Sequence, residues 1–264
     1  MKELQVLVVT MGQKDLSIVK KMNLQCDAVI ANQADYEAIV TEGNVKKLTT
    51  ATKGVGLNRN IALLAADSEI VLFADDDMTY YDGMPQAVVK AFRENPKADV
   101  IVFGIDITKG GQIVEKRHLK KKRLHVWNAM RYGTDRVAVR REAILRSNIV
   151  FNQCFGGGCV YSAGEDSLFL KACFDKKLRV YTHEFVLGTC CKDESSWFVG
   201  HNDKYFYDKG ALMRHLFPRI PRLMALYFAI RFKRQTDLSV MKRIRLMLAG
   251  VRGGKRMEPY RDGL

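Results

Sequence analysis

Apolar residues recur along this chain in two rhythms. Val6–Thr10, Ala28–Ala31, Ile70–Ala74 and Val100–Gly104 are short unbroken runs of the kind that form strands buried on both faces. Between them, Leu16–Met22, Leu57–Ala66 and Pro85–Phe92 place apolar residues at helical spacing. This alternation predicts an α/β fold with a mostly parallel, twisted central sheet flanked by helices on both faces. Gly110-Gly111 interrupts the pattern, and the basic segment Lys116–Arg123 behind it reads as a loop or an exposed edge. Arg136–Arg140 then reads as a strand and Arg141–Arg146 as a short helix. Gly156-Gly157-Gly158 opens a flexible stretch that ends at Gly164, where a helix starts with Glu165. The remainder is helical in pattern, over His201–Phe217, Leu223–Phe232 and Leu238–Leu248, punctuated by Pro218 and Pro221.

The Ile70 run stops abruptly at Asp75, Asp76 and Asp77. Strands of this type present ligands at their carboxyl ends, so the triplet is expected to be displayed. Adjacent anions repel one another, and oxygen ligands of this kind suit a divalent cation, Mn2+ or Mg2+. The same residues also make a good solvated turn ahead of a helix, a reading that needs no ligand. Gly54-Val55-Gly56-Leu57-Asn58-Arg59-Asn60 opens the preceding helix, whose first turn and Arg59 suit a phosphate, although an ordinary glycine turn with a surface Arg is the commoner reading of such a segment. The second acidic site, Gly164-Glu165-Asp166, heads a helix that is apolar on nearly every side. Carboxylates there are favoured by the helix dipole alone; an ionised aspartate held rigidly there could also take a proton from a hydroxyl nucleophile.

Composition narrows the class without changing the fold. A chain of 264 residues, 47% hydrophobic and 27% charged, accommodates one large α/β domain with a helical appendage. No apolar stretch reaches the length of a membrane span, and the first apolar run reads as a strand, not a leader, so a cytoplasmic location is expected. The six cysteines show no metal or disulfide spacing. Much of the +14 formal charge is C-terminal, with thirteen Lys or Arg against three Asp or Glu from Arg214 onward. In Leu238–Leu248, Met241, Ile244 and Leu248 share one face, and Lys242, Arg243 and Arg245 are the polar-side cations. That pattern, to which the upstream Leu223–Phe232 segment adds apolar area, fits either a helix lying on an anionic membrane surface or one folded over the protein with a solvated basic face. The expected division is therefore a catalytic domain over residues 1–215 and a basic amphipathic tail over 216–264.

Taken in order, the Gly-Leu-Asn-Arg-Asn helix start, the strand ending in Asp75-Asp76-Asp77, the glycine-rich loop leading to Gly164-Glu165-Asp166, and Trp197 beyond it resemble a family 2 glycosyltransferase of the GT-A fold. The resemblance runs over roughly residues 3 to 215 and is nearest to bacterial members that build capsular, exopolysaccharide or lipopolysaccharide chains. It implies a nucleotide-sugar donor, a saccharide or lipid-linked saccharide acceptor, and no nucleic acid. It further implies that Asp75 contacts the ribose and Asp77 ligates the metal on the diphosphate, with Asp76 between them. Asp166 is implied as catalytic base, with Glu165 orienting the acceptor. Thr10, Lys53, Asn58 and Arg59 fall where the family lines its donor pocket, and Trp197 is the candidate acceptor platform. A base opposite the departing diphosphate allows in-line displacement, which inverts the anomeric configuration.

Two positions depart from the family pattern. Asn32-Gln33-Ala34-Asp35 replaces the usual Asp-Asp-Gly-Ser element, leaving Asp35 as the substitute reader of the base. A downstream histidine ligand is missing from Leu187–Lys192, so its role passes to His183, His201 or Lys192, or is vacant. Val71–Thr79 also satisfies the D-x-D-x-T strand of haloacid-dehalogenase-like phosphatases, but several elements precede it and the second spaced carboxylate pair is missing. A nucleic-acid-binding protein is the reading that charge alone suggests, against the absence of basic residues interleaved with aromatics. A nucleotidyltransferase would open on a glycine-rich loop with a basic residue, of which Thr10–Lys14 is a poor version.

Overall fold

In the computed structural model, which describes residues 2–193, 200–232 and 236–261, the alternating runs form one mixed sheet. Strand β1 (Leu4–Met11) lies between β2 (Asp27–Gln33) and β5 (Ile70–Asp75), both parallel to it, and β4 (Val45–Thr50) continues the parallel order beyond β2. Past β5 comes the antiparallel β10 (Val137–Arg140), then β7 (Val100–Lys109) with β11 (Val180–Cys191) parallel to it. Short antiparallel strands complete the sheet: β3 (Ala38–Glu42) on β4, β6 (Met78–Tyr80) and β9 (Lys122–Arg123) on β11, and β8 (Gln112–Arg117) on β7. The parallel core is the part that the apolar runs foretold. The antiparallel additions carry more polar sequence, and β8 is exposed along its whole length, as an exposed basic edge should be.

Strand alternation sends successive side chains to opposite faces. Val6 and Val8 of β1 join Leu72 and Ala74 of β5 in one core layer, closed by α1 (Ser17–Lys21) and α3 (Met84–Glu94) through Ile18, Met84, Val88 and Phe92. Leu7, Val71 and Phe73 face the other layer, closed by α2 (Val55–Ala65), α5 (Arg141–Arg146) and α6 (Glu165–Asp175) through Ala62, Leu63, Ile144, Phe169 and Leu170. Phe151 stacks on Phe169 at 4.2 Å, and Phe73 meets both edge-on. Because both faces of β1 and β5 are covered, only their carboxyl ends remain for a ligand.

Compactness divides the chain into two units. The first holds the sheet, comprising residues up to Lys53, Leu57–Phe151, and Phe169 through Asp193 among those described. The second gathers Gly54–Gly56, Asn152–Leu168 and the C-terminal helices α7 (Asp203–Leu216), α8 (Pro221–Arg231) and α9 (Val240–Gly253). The glycine-rich segment thus groups with the C-terminal helices, a partition that charge along the sequence does not report. Helices α7 and α9 approach backbone to backbone: a Cβ at Gly210 would strike the Met247 carbonyl, and one at Gly250 the Tyr207 carbonyl.

The tail departs from its expected amphipathic layout. In α9 the buried face is Leu246, Met247, Ala249 and Gly250, packed on α7, and Arg243 is 1% exposed, not a polar-side cation. The 3.6-residue repeat places Arg243 in line with Met247 and Gly250, so the contact with α7 draws it inward. Helix α9 is therefore a packed element of its unit, and no helix among the described residues is long and apolar enough to cross a membrane.

Candidate active site

The parallel strands bring their carboxyl ends into register within the sheet unit: Thr10 pairs with Asn32, Val9 with Asp75, and Asn32 with Thr49. The Asp75–Asp77 turn, the β2–β3 turn bearing the exposed Asp35, and the exposed Lys53 after β4 all emerge from this edge. Each carboxylate of the triplet has a different environment. Asp75 accepts a hydrogen bond from Arg59 Nη2 at 2.7 Å, and Asp76 accepts one from Thr10 Oγ1 at 2.6 Å. Asp77 Oδ2 lies 3.4 Å from the Cys190 Sγ donor and 3.6 Å from Lys192 Nζ. Its Oδ1 is enclosed and has no hydrogen-bond partner.

These surroundings set the charge of the turn. Burial, followed by the negative charge of Asp75, pushes the Asp77 carboxyl above the ordinary aspartate range, against the pull of Lys192. Burial also lifts the Cys190 thiol to about 12, so it stays protonated and donates to Asp77. Mutual repulsion within the triplet is thus relieved by Arg59, Thr10 and Lys192, while one oxygen of Asp77 keeps an unfilled acceptor position.

Two residues expected to line the donor pocket, Arg59 and Asn58, are buried. Arg59 is 2% exposed, packed over the Phe151 ring at 5.4 Å and directed at Asp75, so it orients that carboxylate. Asn58 is also 2% exposed and donates to the carbonyls of Ala31 and Thr10 at 2.8 and 3.3 Å, tying β1 to β2. Nor is the first amide of α2 available to an anion, since Val55 N donates to Gly157 O at 2.9 Å.

The sheet edge also holds two residues that motif reading passes over. Asn32 bonds both the amide and the carbonyl of Gln13, and Lys47, 3% exposed, donates to the Lys14 carbonyl at 2.7 Å, with those of Gln13 and Asp15 within 3.4 Å. Together they fix the loop after β1. A lysine in the inward phase of β4, between Val45 and Thr49, is the available signal. Of the three candidates for the missing histidine's place, the structure sets Lys192 beside Asp77. It is anchored there because Cys191 N donates to Asp77 O and Lys192 N to Thr108 O, both at 2.9 Å. His183 sits against Phe103, and His201 against Tyr205 and Phe232.

The second unit holds Glu165 and Asp166 in the first turn of α6. Glu165 is 8% exposed, and its Oε2 accepts from Gly164 N at 3.1 Å. Gly156, at φ +106°, leaves the space this carboxylate occupies: an added Cβ would lie 2.7 Å from Glu165 Cδ. Asp166 is half-buried on the same turn. The loop ahead of it is fastened by Asp208, whose Oδ2 accepts from Ser162 N at 2.9 Å and from Ser162 Oγ at 2.7 Å. Tyr161 and Tyr207 both donate to the Glu258 carbonyl at 3.0 Å. Asp208 was not foreseen, because its Ser162 partner lies 46 residues away in sequence. Trp197, the candidate acceptor platform, lies outside the described residues.

Residues 27–147 match the model of glycosyl transferase family 2, a span that takes in β2 through α5 and the acidic turn. No curated protein sequence matches the chain. Among solved structures the fold is similar to S. aureus TarS 1–349 in complex with UDP-GlcNAc, with TM-score 0.60 and 18% identity over 93% of this chain and 70% of that one. It is similar to the same fragment in complex with UDP, with TM-score 0.59 and 16% identity over 95% and 71%. It is likewise similar to S. aureus TarS, with TM-score 0.56 and 16% identity over 93% of this chain and 42% of that protein, of which it therefore spans less than half. The phosphatase alternative falls here, since the D-x-D strand sits beside β1 inside a parallel group that the family model covers from β2 onward. Residues 27–147 thus carry the glycosyl transferase family 2 pattern, and the sheet around them has the GT-A fold.

Proposed function

We propose that this protein is a metal-dependent, inverting glycosyltransferase, moving a sugar from a nucleotide-sugar donor to a hydroxyl of a saccharide or lipid-linked saccharide during cell-surface polysaccharide synthesis, capsule included. The observation that carries the donor side is Asp77: an enclosed carboxylate oxygen without a partner, at the carboxyl end of the parallel strands. An unfilled buried acceptor costs about 1–3 kcal/mol, and a cation offsets that cost. Among the described residues no group of three His, Cys, Asp or Glu side chains gathers as a metal cage. Magnesium-type sites at diphosphates need only one or two carboxylates, the rest being phosphate and water oxygens, so Asp77 with Asp75 suffices. Mn2+ or Mg2+ held there would neutralise charge on the departing diphosphate.

The other roles fall to the chain's own side chains. Asp75, oriented by Arg59, meets the ribose; Thr10 holds Asp76 in the turn; Asp35 and Lys53 serve the base and the phosphates from the neighbouring strand ends. Asp166 takes the proton of the acceptor hydroxyl as that oxygen bonds to the anomeric carbon, and the diphosphate leaves with the electron pair of the broken bond. Glu165, held by Gly164 N, keeps the α6 turn in place for the acceptor, with Trp197 as the proposed sugar platform. TarS fragments bind UDP-GlcNAc and UDP, which makes uridine nucleotides the first donors to try.

A thermal-shift panel of nucleotide sugars with and without Mn2+ tests the reading. One donor should raise the melting temperature clearly more with metal than without; stabilisation by no donor, or equal stabilisation in EDTA, would count against it. Lys192 supplies a second, independent arm. Its ammonium beside Asp77 stands where the diphosphate charge would lie. Lys192→Met should weaken UDP binding about tenfold both in Mn2+ and in EDTA, on the strength of one partly exposed charge-assisted hydrogen bond. A loss seen only in Mn2+, by calorimetry, would make Lys192 a support of the metal site instead.

A further inference from the structure

Helix α8 is built inside out. Its fully buried positions are the alanines Ala225 and Ala229, while Leu223, Leu226, Tyr227 and Ile230 are 61%, 37%, 48% and 59% exposed. Ile220, just ahead of the helix, is 43% exposed. Spacings of three and four residues put Leu223, Leu226, Tyr227 and Ile230 on one stripe. A helix that faces water alone would carry the reverse arrangement.

The rim of the stripe is cationic. Arg219, Arg222 and Arg231 are exposed at its ends and sides, and Arg231 Nη1 donates to the Tyr227 hydroxyl at 2.7 Å, which keeps the guanidinium at the edge of the apolar face. From Lys209 to Thr236 the sequence contains no Asp or Glu. The underside is fixed: Phe228 and Phe232 lie beneath the helix with Lys209 Nζ 5.5 and 5.9 Å from their ring centres. The exposed side chains are thus presented by a packed helix and are not the outer face of a loose one.

We propose that the exposed face of α8 seats on an anionic lipid surface, the helix lying in the interface with Leu223, Leu226, Tyr227 and Ile230 among the acyl chains and Arg219, Arg222 and Arg231 at the headgroups. Eleven residues cannot span a bilayer but suffice for this geometry. Arginine and tyrosine suit its border, since each has an apolar body and a polar end. A second copy of the chain is the poorer occupant, because a two-fold contact would bring the same arginines against one another with no carboxylate on the face to separate them. The proposal gives the membrane contact to α8, which the sequence offered only as apolar area added to α9, and it holds whether or not the donor reading does.

Sedimentation with phosphatidylcholine vesicles, with and without phosphatidylglycerol, tests it on the full chain. Wild type should pellet with the anionic vesicles, weakly or not at all with the neutral ones, and salt should release it. Leu223→Glu/Ile230→Glu should abolish pelleting. Arg222→Glu/Arg231→Glu should lower the anionic-vesicle partition coefficient by about 25-fold or more, at roughly fivefold per cation at a charged surface. All four positions are exposed, so both variants should keep the wild-type melting temperature and helical content. Equal pelleting with neutral vesicles, or none with either kind, overturns the proposal. So does a concentration-dependent dimer that Leu223→Glu/Ile230→Glu dissociates, which would give the face to a second copy.

Discussion

Asp166→Asn should reduce turnover by about two to four orders of magnitude, the usual contribution of a positioned general base, while donor affinity stays within about twofold of wild type. The substitution keeps size and hydrogen-bonding shape and removes only the capacity to take a proton. Asp166 belongs to the unit of the glycine-rich loop and C-terminal helices, whereas the acidic turn, Lys192 and the strand ends assigned to the donor belong to the sheet unit. Donor binding and proton transfer should therefore separate in measurement: calorimetry with UDP and Mn2+ should not distinguish the variant, and initial rates should. Turnover unchanged in Asp166→Asn would remove it from its role. Donor affinity lost together with turnover would show that the α6 start is part of the donor pocket instead.

What the sequence made legible follows from where burial is strongest. Ile70–Ala74 and Val6–Thr10 are covered on both faces by helices, so every residue in them is apolar and the runs announce strands without further context. Strands β3, β4 and β11 are partly exposed or lie toward the rim of the sheet. Their sequences, such as Val45-Lys46-Lys47-Leu48-Thr49-Thr50, mix polar residues that only the fold explains, since Lys47 points inward to hold three carbonyls of the β1 loop. The acidic turn was legible as the end of a buried strand, because an unbroken apolar run stops there. The partners that distinguish its carboxylates were not. Arg59 reads in sequence as a surface cation at a helix start, and it is buried because the helix face carrying it lies on Phe151, far along the chain. Lys192 could be named only as one of three candidates; choosing it required the β11–β6 pairing, which sets Cys190 opposite Met78 and brings the strand end to Asp77.

Asp77→Ala is expected to produce opposite changes in stability and in binding. The enclosed Oδ1 lacks a partner, and burial together with the neighbouring Asp75 charge already opposes ionisation of this carboxyl. Removing it takes away an unsatisfied buried acceptor, so the ligand-free variant should melt at or above the wild-type temperature, whereas most buried polar truncations lower it. At the same time, Mn2+ should no longer strengthen UDP binding. Loss of a supporting partner alone costs a metal site about 10–100-fold in affinity, and loss of the ligand itself should cost at least that. Any affinity that remains in Asp77→Ala should match the metal-free value of wild type, because Lys192 still faces the phosphates. Melting curves and UDP titrations in Mn2+ and in EDTA measure both halves. If Asp77→Ala unfolds more readily and keeps its metal response, the carboxylate is a structural group and the cation is held elsewhere. If stability is kept and the metal response is lost, the unsatisfied acceptor at Asp77 belongs to function, since its bare oxygen is tolerated in the free protein for the ligand it is arranged to receive.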